Sequence, residues 1–240
     1  MTLLHNDDLI SRMSNIYQLR QLMTLDASMN ASDIEERFEQ IAKMLFESFA
    51  IQKGETMYLF KEIEFYFYNK NHRDIVTHPR ESKPLCWYVN DFGGIDLNFE
   101  SKIKYENRLN SKGKNVKKYV LDDSAYFGGI LIRQLINEDE GELLKGPFAC
   151  AELFRNYEAT GCSMNKDLPI LVEHGNGKAG DILPKHRVNL LSSKQNEVGK
   201  VNNILYQYHE DVQPSKETLY KEFLNFKDKP YGYEQQIAAR

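Results

Sequence analysis

"FKEIEFYFYNK", Phe60 to Lys70, decides the fold. Ile63, Phe65 and Phe67 fall on one face of a period-2 strand, and Glu62, Glu64, Tyr66 and Tyr68 fall on the other. The first face is core. The second interleaves carboxylates with phenols, and such a face has two readings. It is either solvated, or it is the floor of a pocket where a flat ligand stacks and a carboxylate acts. Alternation alone favours the solvated reading.

Working outward, "SDIEERFEQIAKMLFESF" is the clearest helix, with Ser32 and Glu35 at capping-box spacing and an apolar stripe of Ile34, Phe38, Ile41, Leu45 and Phe49. A weaker amphipathic helix, "DDLISRMSNIYQLRQLM", precedes it. Gly54 marks the turn into the aromatic strand. Beyond the loop "DIVTHPRESKP", "LCWYVNDFGGIDLNF" reads as a hairpin turning at Phe92-Gly93-Gly94. "GGILIRQLI", "LPILVEH" and "HRVNLLS" read as strands, and "ACAELFRNY" and "SKETLYKEFLNFK" (Ser215 the cap) as helices. Short strands mixed with flanking helices predict an α+β fold. No repeat or linker divides the chain, so residues 1–240 are read as one domain. Within it, 1–30 is an N-terminal helical extension, 32–191 the core and 192–240 a C-terminal helical segment.

The formal net charge of -4 gives no global support for nucleic-acid binding, which usually appears as a basic surplus. One local exception runs from Lys102 to Lys118, with seven Lys/Arg against the single acid Glu106. Such a run is either a solvated hairpin or a phosphate-contacting surface. Cys86, Cys150 and Cys162 stand apart with no CxxC pair, which excludes a cysteine zinc site and suits a reducing compartment. "MTLLHNDDLISRM" lacks the basic start and apolar run of a signal peptide, and no stretch approaches membrane-spanning length. A cytoplasmic protein is expected. "HGNGKAG" lacks phosphate-loop spacing, and Ser, Cys and His form no triad-like pattern.

Several stretches, in order, resemble the alkyladenine (3-methyladenine) DNA glycosylase family of base-excision repair. They are "EIEFY", "NHRDIVTH", "CWYVNDFGGIDLNF", "GGILIRQL", "KGPFACAEL" and "NKDLPILVEHG". The similarity runs from about Ser32 to Leu191 and rests on order and spacing rather than on any one motif. It implies a single domain with a curved, mainly antiparallel sheet. It further implies a monomeric, monofunctional hydrolase that cleaves the N-glycosidic bond of a flipped, alkylated or deaminated purine in double-stranded DNA, with neither metal nor cofactor.

By that resemblance Glu64 is the general base, and Tyr66, Asn98 and Arg133 lie near the flipped base. His72 and His78 compete for a base-contacting histidine, with His78 preferred because Pro79 restrains its loop. Trp87 or Tyr88 is the opposite stacking wall, and the lone tryptophan is better suited to core, which leaves Tyr88. Phe92 matches the wedge that fills the gap in the duplex. Lys112, Lys114, Lys117 and Lys118 would meet backbone phosphates. An arginine inside "ILIRQLI" needs a carboxylate partner, and Glu64 can supply it. The alternatives are a catalytically silent binder of nucleic acid or protein, and a small nucleoside hydrolase on the same scaffold.

Overall fold

In the computed structural model, which describes residues 14–90, 93–110, 112–155, 168–175, 180–188, 190 and 216–236, the aromatic run lies in the long strand β2, Thr56–Asn69. The helices are α1 (Asn15–Leu22), α2 (Ala31–Ser48), α3 (Pro147–Arg155) and α4 (Lys216–Lys227). The other strands before the middle of the chain are β1 (Phe49–Lys53), β3 (His72–Arg73), β4 (Trp87–Val89), β5 (Ile95–Asn98), β6 (Lys104–Leu109) and β7 (Asn115–Val120). β8 (Phe127–Asn137), β9 (Leu143–Lys145), β10 (Ile170–Glu173), β11 (Ile182–Lys185) and β12 (Gly232–Gln235) follow.

The main sheet is antiparallel and curled, in the order β10-β1-β2-β8-β5-β4, with β12 also paired to β2 and β11 to β12. The α+β class is thus as expected. β6 and β7 form a separate two-stranded sheet.

Three details differ from the sequence reading. Asn30, rather than Ser32, caps α2: its side chain accepts from the Asp33 amide at 3.0 Å, while the Ser32 hydroxyl donates to the Asn30 side chain. Phe49 leaves the helical stripe and opens β1, because Gly54 at φ 61° turns the chain straight into β2 and makes β1 its partner. Of the strand expected at His186–Ser192, the described residues 186–188 and 190 are not in a strand and the rest lie outside the described residues, while a strand stands just before it at Ile182–Lys185, where β12 supplies a pairing partner. That partner comes from the C-terminal segment, which therefore contributes to the sheet as well as a helix. Ser215, Cys162 and Phe92 lie outside the described residues.

The apolar face of β2 packs as expected. Ile63, Phe65 and Phe67 are fully buried beneath α2, whose Ile34, Phe38, Ile41 and Leu45 are also fully buried. Phe38 stacks on Phe65 at 4.5 Å and Tyr231 meets Phe38 edge-on at 5.2 Å. Among the described residues, no helix is long and apolar enough to cross a membrane.

Candidate functional site

The opposite face of β2 is not solvated. Glu62 and Glu64 are 4% and 1% exposed. Register explains what they meet. Glu64 pairs with Leu131 on β8, Leu131 with Asp96 on β5, and Asp96 with Tyr88 on β4. One residue-pair further along, Tyr66 pairs with Gly129, and Gly129 with Asn98. Side chains opposite one another in a sheet share a face. Two rows, Glu64-Leu131-Asp96-Tyr88 and Tyr66-Gly129-Asn98, therefore line the same side of the curled sheet. With strands about 4.8 Å apart, Glu64 and Asp96 are separated by roughly 10 Å of backbone.

Arg133 lies on this face by alternation with Gly129 and Leu131, next to an irregularity. The β2–β8 register shifts on both sides of Glu62, which leaves Arg133 between the paired residues Ile132 and Gln134. A bulge of this kind re-aims a side chain, and this one brings Gln134 onto the same face, opposite Glu62. Here the Arg133 Nε lies 3.6 Å from Glu64 Oε1. Glu64 Oε1 also accepts from the Val188 amide at 2.7 Å, and Oε2 accepts from the Tyr66 hydroxyl at 2.8 Å. Burial raises the Glu64 carboxyl above its ordinary value, and Arg133, the Val188 amide and Tyr66 oppose that rise. Burial and the neighbouring Glu64 carboxylate push the Tyr66 phenol upward, so it stays protonated and able to donate.

Two further arginines, neither singled out from sequence, organise the flanks. Arg80 is 5% exposed and donates to Asp96 Oδ2 at 2.6 Å and to Asn98 Oδ1 at 3.0 Å, with its guanidinium 4.5 Å from the Tyr88 ring centre. A guanidinium can only donate, so it fixes the Asn98 amide with its oxygen toward Arg80 and its nitrogen toward Ser82 Oγ at 2.8 Å. Arg187 is held by Asp74 through contacts of 2.5 and 3.2 Å and lies 4.7 Å from the Tyr66 ring centre. Each candidate stacking ring thus has an arginine over one of its faces. Lys185 completes the set, 3.4 Å from Glu62 Oε1, and Gln134 hydrogen-bonds the other Glu62 oxygen.

Gly129 is a requirement of this packing: a Cβ there would stand 3.0 Å from Asn98 Oδ1 and 3.3 Å from Asp96 Cβ. The surface within reach of a ligand is made by half-buried Tyr66, Leu131, Arg133 and Tyr88, with Glu64, Asp96 and Asn98 beneath them.

The two histidines separate. His72 is fully buried, with Nδ1 2.8 Å from the Phe67 carbonyl oxygen and Nε2 2.9 Å from the Tyr231 hydroxyl. Burial lowers its basicity, and it belongs to the core. His78 is buried in the loop before Arg80, and its carbonyl accepts from Arg80 Nε at 3.2 Å, which ties that loop to the polar face. Trp87 faces the apolar side and meets Phe154 at 4.8 Å.

The basic run forms the β6–β7 hairpin. Lys112, Lys114 and Lys117 are exposed, Lys118 is half-buried opposite Glu106, and Lys117 Nζ sits 3.8 Å from the Tyr105 ring centre. Tyr105 and Tyr119 pack against the apolar cluster that holds Tyr68 and Phe127, the cross-strand pair next along from Tyr66 and Gly129 on the same face. The hairpin therefore rises from one end of the polar face. Among the described residues no group of three or more His, Cys, Asp or Glu is arranged to hold a metal ion. Comparison of the chain with protein-family models, curated proteins and solved structures gives no match.

Proposed function

We propose that the protein is a DNA glycosylase that hydrolyses the N-glycosidic bond of a flipped, alkylated or deaminated purine. The observation that carries this reading is the environment of Glu64. A carboxylate offers about four acceptor sites. The Val188 amide and the Tyr66 hydroxyl fill two of them, and Arg133 Nε at 3.6 Å is an ion-pair neighbour without a hydrogen bond, which leaves acceptor capacity for a water. In the proposed reaction that water attacks the sugar's anomeric carbon and gives its proton to Glu64. The bond to the purine nitrogen breaks, and the electron pair leaves with the base. The negative carboxylate also stabilises the cationic sugar of the transition state. Half-buried Tyr66 and Tyr88 supply ring faces for the base, and the charge of Arg133 opposes the rise in the Glu64 carboxyl that burial causes.

The test is release of hypoxanthine or 3-methyladenine from duplex DNA by the purified protein, in the presence of a chelator. Release is expected; none from any alkylated or deaminated purine overturns the reading. The near-complete burial of Glu64 favours a second reading, in which the carboxylate anchors the fold of a silent nucleic-acid binder. That protein would bind DNA with a steep salt dependence and release no base. Release from free nucleosides but not from DNA would instead assign a nucleoside hydrolase.

The hairpin carries its own prediction. Exchanging Lys112, Lys114, Lys117 and Lys118 for glutamine should flatten the plot of log affinity against log salt by roughly one unit for each phosphate no longer neutralised. Lys118 should contribute least, because Glu106 lies opposite it. An unchanged slope in a filter-binding titration would assign the hairpin to solvent.

A further inference from the structure

We infer that the end of the sheet face next to Glu62 is the interface of a homodimer, in which two copies of this chain pack face to face. The inference does not depend on the glycosylase reading, whose family resemblance implies a monomer. The register builds an apolar row across five strands. Val172 pairs with Ala50, Ala50 with Leu59, Leu59 with Ile136, and Ile136 with Leu143. Their chain neighbours Phe49, Ile51, Phe60 and Leu135 belong to the core, so by alternation the row points away from it. The register shift between Phe60 and Glu62 resets the alternation and puts the row on the side of Glu62. An antiparallel sheet packed on one face commonly carries polar residues on the other. Here the position is apolar on every strand. Leu143 is 44% exposed at one end, and Ile170, two residues before Val172, is 51% exposed at the other, with Ala50 and Leu59 buried between them. None of these side chains belongs to either apolar cluster of the described residues. Contiguous apolar surface of this kind marks an interaction site.

Charge on the two flanks of the row decides what fits it. On one flank stand the exposed acids Glu55, Asp139, Glu140 and Glu142, in the β1–β2 and β8–β9 turns. On the other are exposed Lys145, which pairs with Gln134, and the lysines Lys61 and Lys185, set against Glu234 and Glu62. Among the described residues Asp139, Glu142 and Lys145 have no ion-pair partner. Such a surface is complementary to itself. A twofold axis along the row reverses the strand direction of the second copy and keeps β9 over β9. Each apolar row then covers the other, and the turn acids of each copy come over Lys145 of the other. Twofold dimers are the commonest assemblies, and their interface is one patch meeting itself. The polar face stays accessible. Glu64 lies five residues along β2 from Leu59, roughly 16 Å, whereas the second copy ends at its own turn, four residues or roughly 13 Å from the row.

The experiment is sedimentation equilibrium of the purified chain from about 1 to 500 μM. A species of twice the chain mass of 28.0 kDa is expected. Leu143→Asp and, at the other end of the patch, Ile170→Asp should each leave monomer only, with the circular dichroism of wild type. Lys145→Glu sets acid over acid and should raise the dissociation constant by about tenfold. Adding Asp139→Lys and Glu142→Lys to it should restore the dimer. Wild type that is monomeric at every concentration overturns the inference. Binding of a synthetic lysine-leucine peptide by that monomer, lost in Leu143→Asp, would assign the face to a basic protein instead. A dimer that survives both aspartate variants is built on another face and overturns it equally. A charge reversal that weakens the dimer without rescue overturns the twofold pairing.

Discussion

Glu64→Gln should be nearly inactive in base release while still binding damaged DNA. A lost general base costs about a hundredfold to ten-thousandfold, and loss of the negative charge beside the cationic sugar adds to that. Glutamine fits the same space and can accept from the Val188 amide, so the site should keep its shape. Glu62→Gln is the internal control. Glu62 shares the face, but its oxygens are engaged by Lys185 and Gln134, and it should matter less. Equal effects of the two substitutions in single-turnover assays would remove Glu64 from the catalytic role. The same variant has a stability signature. Because burial raises the Glu64 carboxyl in the folded protein, the native state holds its proton to higher pH than the unfolded chain does. The stabilising contribution of that proton is complete below the unfolded value, about 4.3, and is lost as pH rises through the folded one. Glu64→Gln should therefore melt at higher temperature than wild type at neutral pH, and the gap should close toward pH 4. A lower melting temperature at neutral pH would mean that Arg133 and the two hydrogen bonds outweigh the burial cost.

Much of this arrangement was legible in period 2. Alternation along "FKEIEFYFY" separated the core face from the acid face, and Arg133 has the carboxylate neighbour that its apolar strand demanded. The choice between a solvated and a covered face was not legible, because it depends on residues far away in the chain. Lys185, Arg187 and Val188 meet β2 only through the fold, and β12, which pairs with it at Glu62 and Glu64, comes from the C-terminus. Asp96 was within reach: in "IDLN" it lies two residues from Asn98 and shares its face. Arg80 gave no such sign, since a loop arginine between His78 and Pro84 reads as surface. The run from Lys102 to Lys118 pairs as the hairpin of β6 and β7, one of its two sequence readings, though its lysines mark charge and gave no register. The β2–β8 irregularity that sets Gln134 opposite Glu62 has no local sequence mark either, as it arises from two strands adjusting to each other.

Asp74→Ala should cost about 3–5 kcal/mol in a urea titration, the price of leaving a buried charge unpaired. The side chains of Arg187 and Asp74 are 0% and 1% exposed, so water cannot take the place of the deleted carboxylate. Among the described residues the guanidinium would keep its contacts to the Phe65 and Phe226 carbonyls, at 3.2 Å each, and the rings of Tyr66 and Tyr231. Replacing both partners, as in Asp74→Leu with Arg187→Met, should recover most of that stability, because two apolar side chains incur no charge-burial cost. The double variant then isolates what the pair does for the site. Arg187 immediately precedes Val188, whose amide binds Glu64, and its guanidinium covers Tyr66. With that anchor gone, water should reach Glu64 and relieve the desolvation that raises its carboxyl, while loss of the Arg187 charge acts in the opposite, raising direction. Desolvation is the larger of the two, so the carboxyl should fall toward the ordinary range. The midpoint of the pH profile attributed to Glu64, compared between wild type and the stable double variant, reads this directly. A midpoint that stays or rises would show that the lost Arg187 charge matches or outweighs any relief of desolvation, and that the pair does not keep water from the carboxylate.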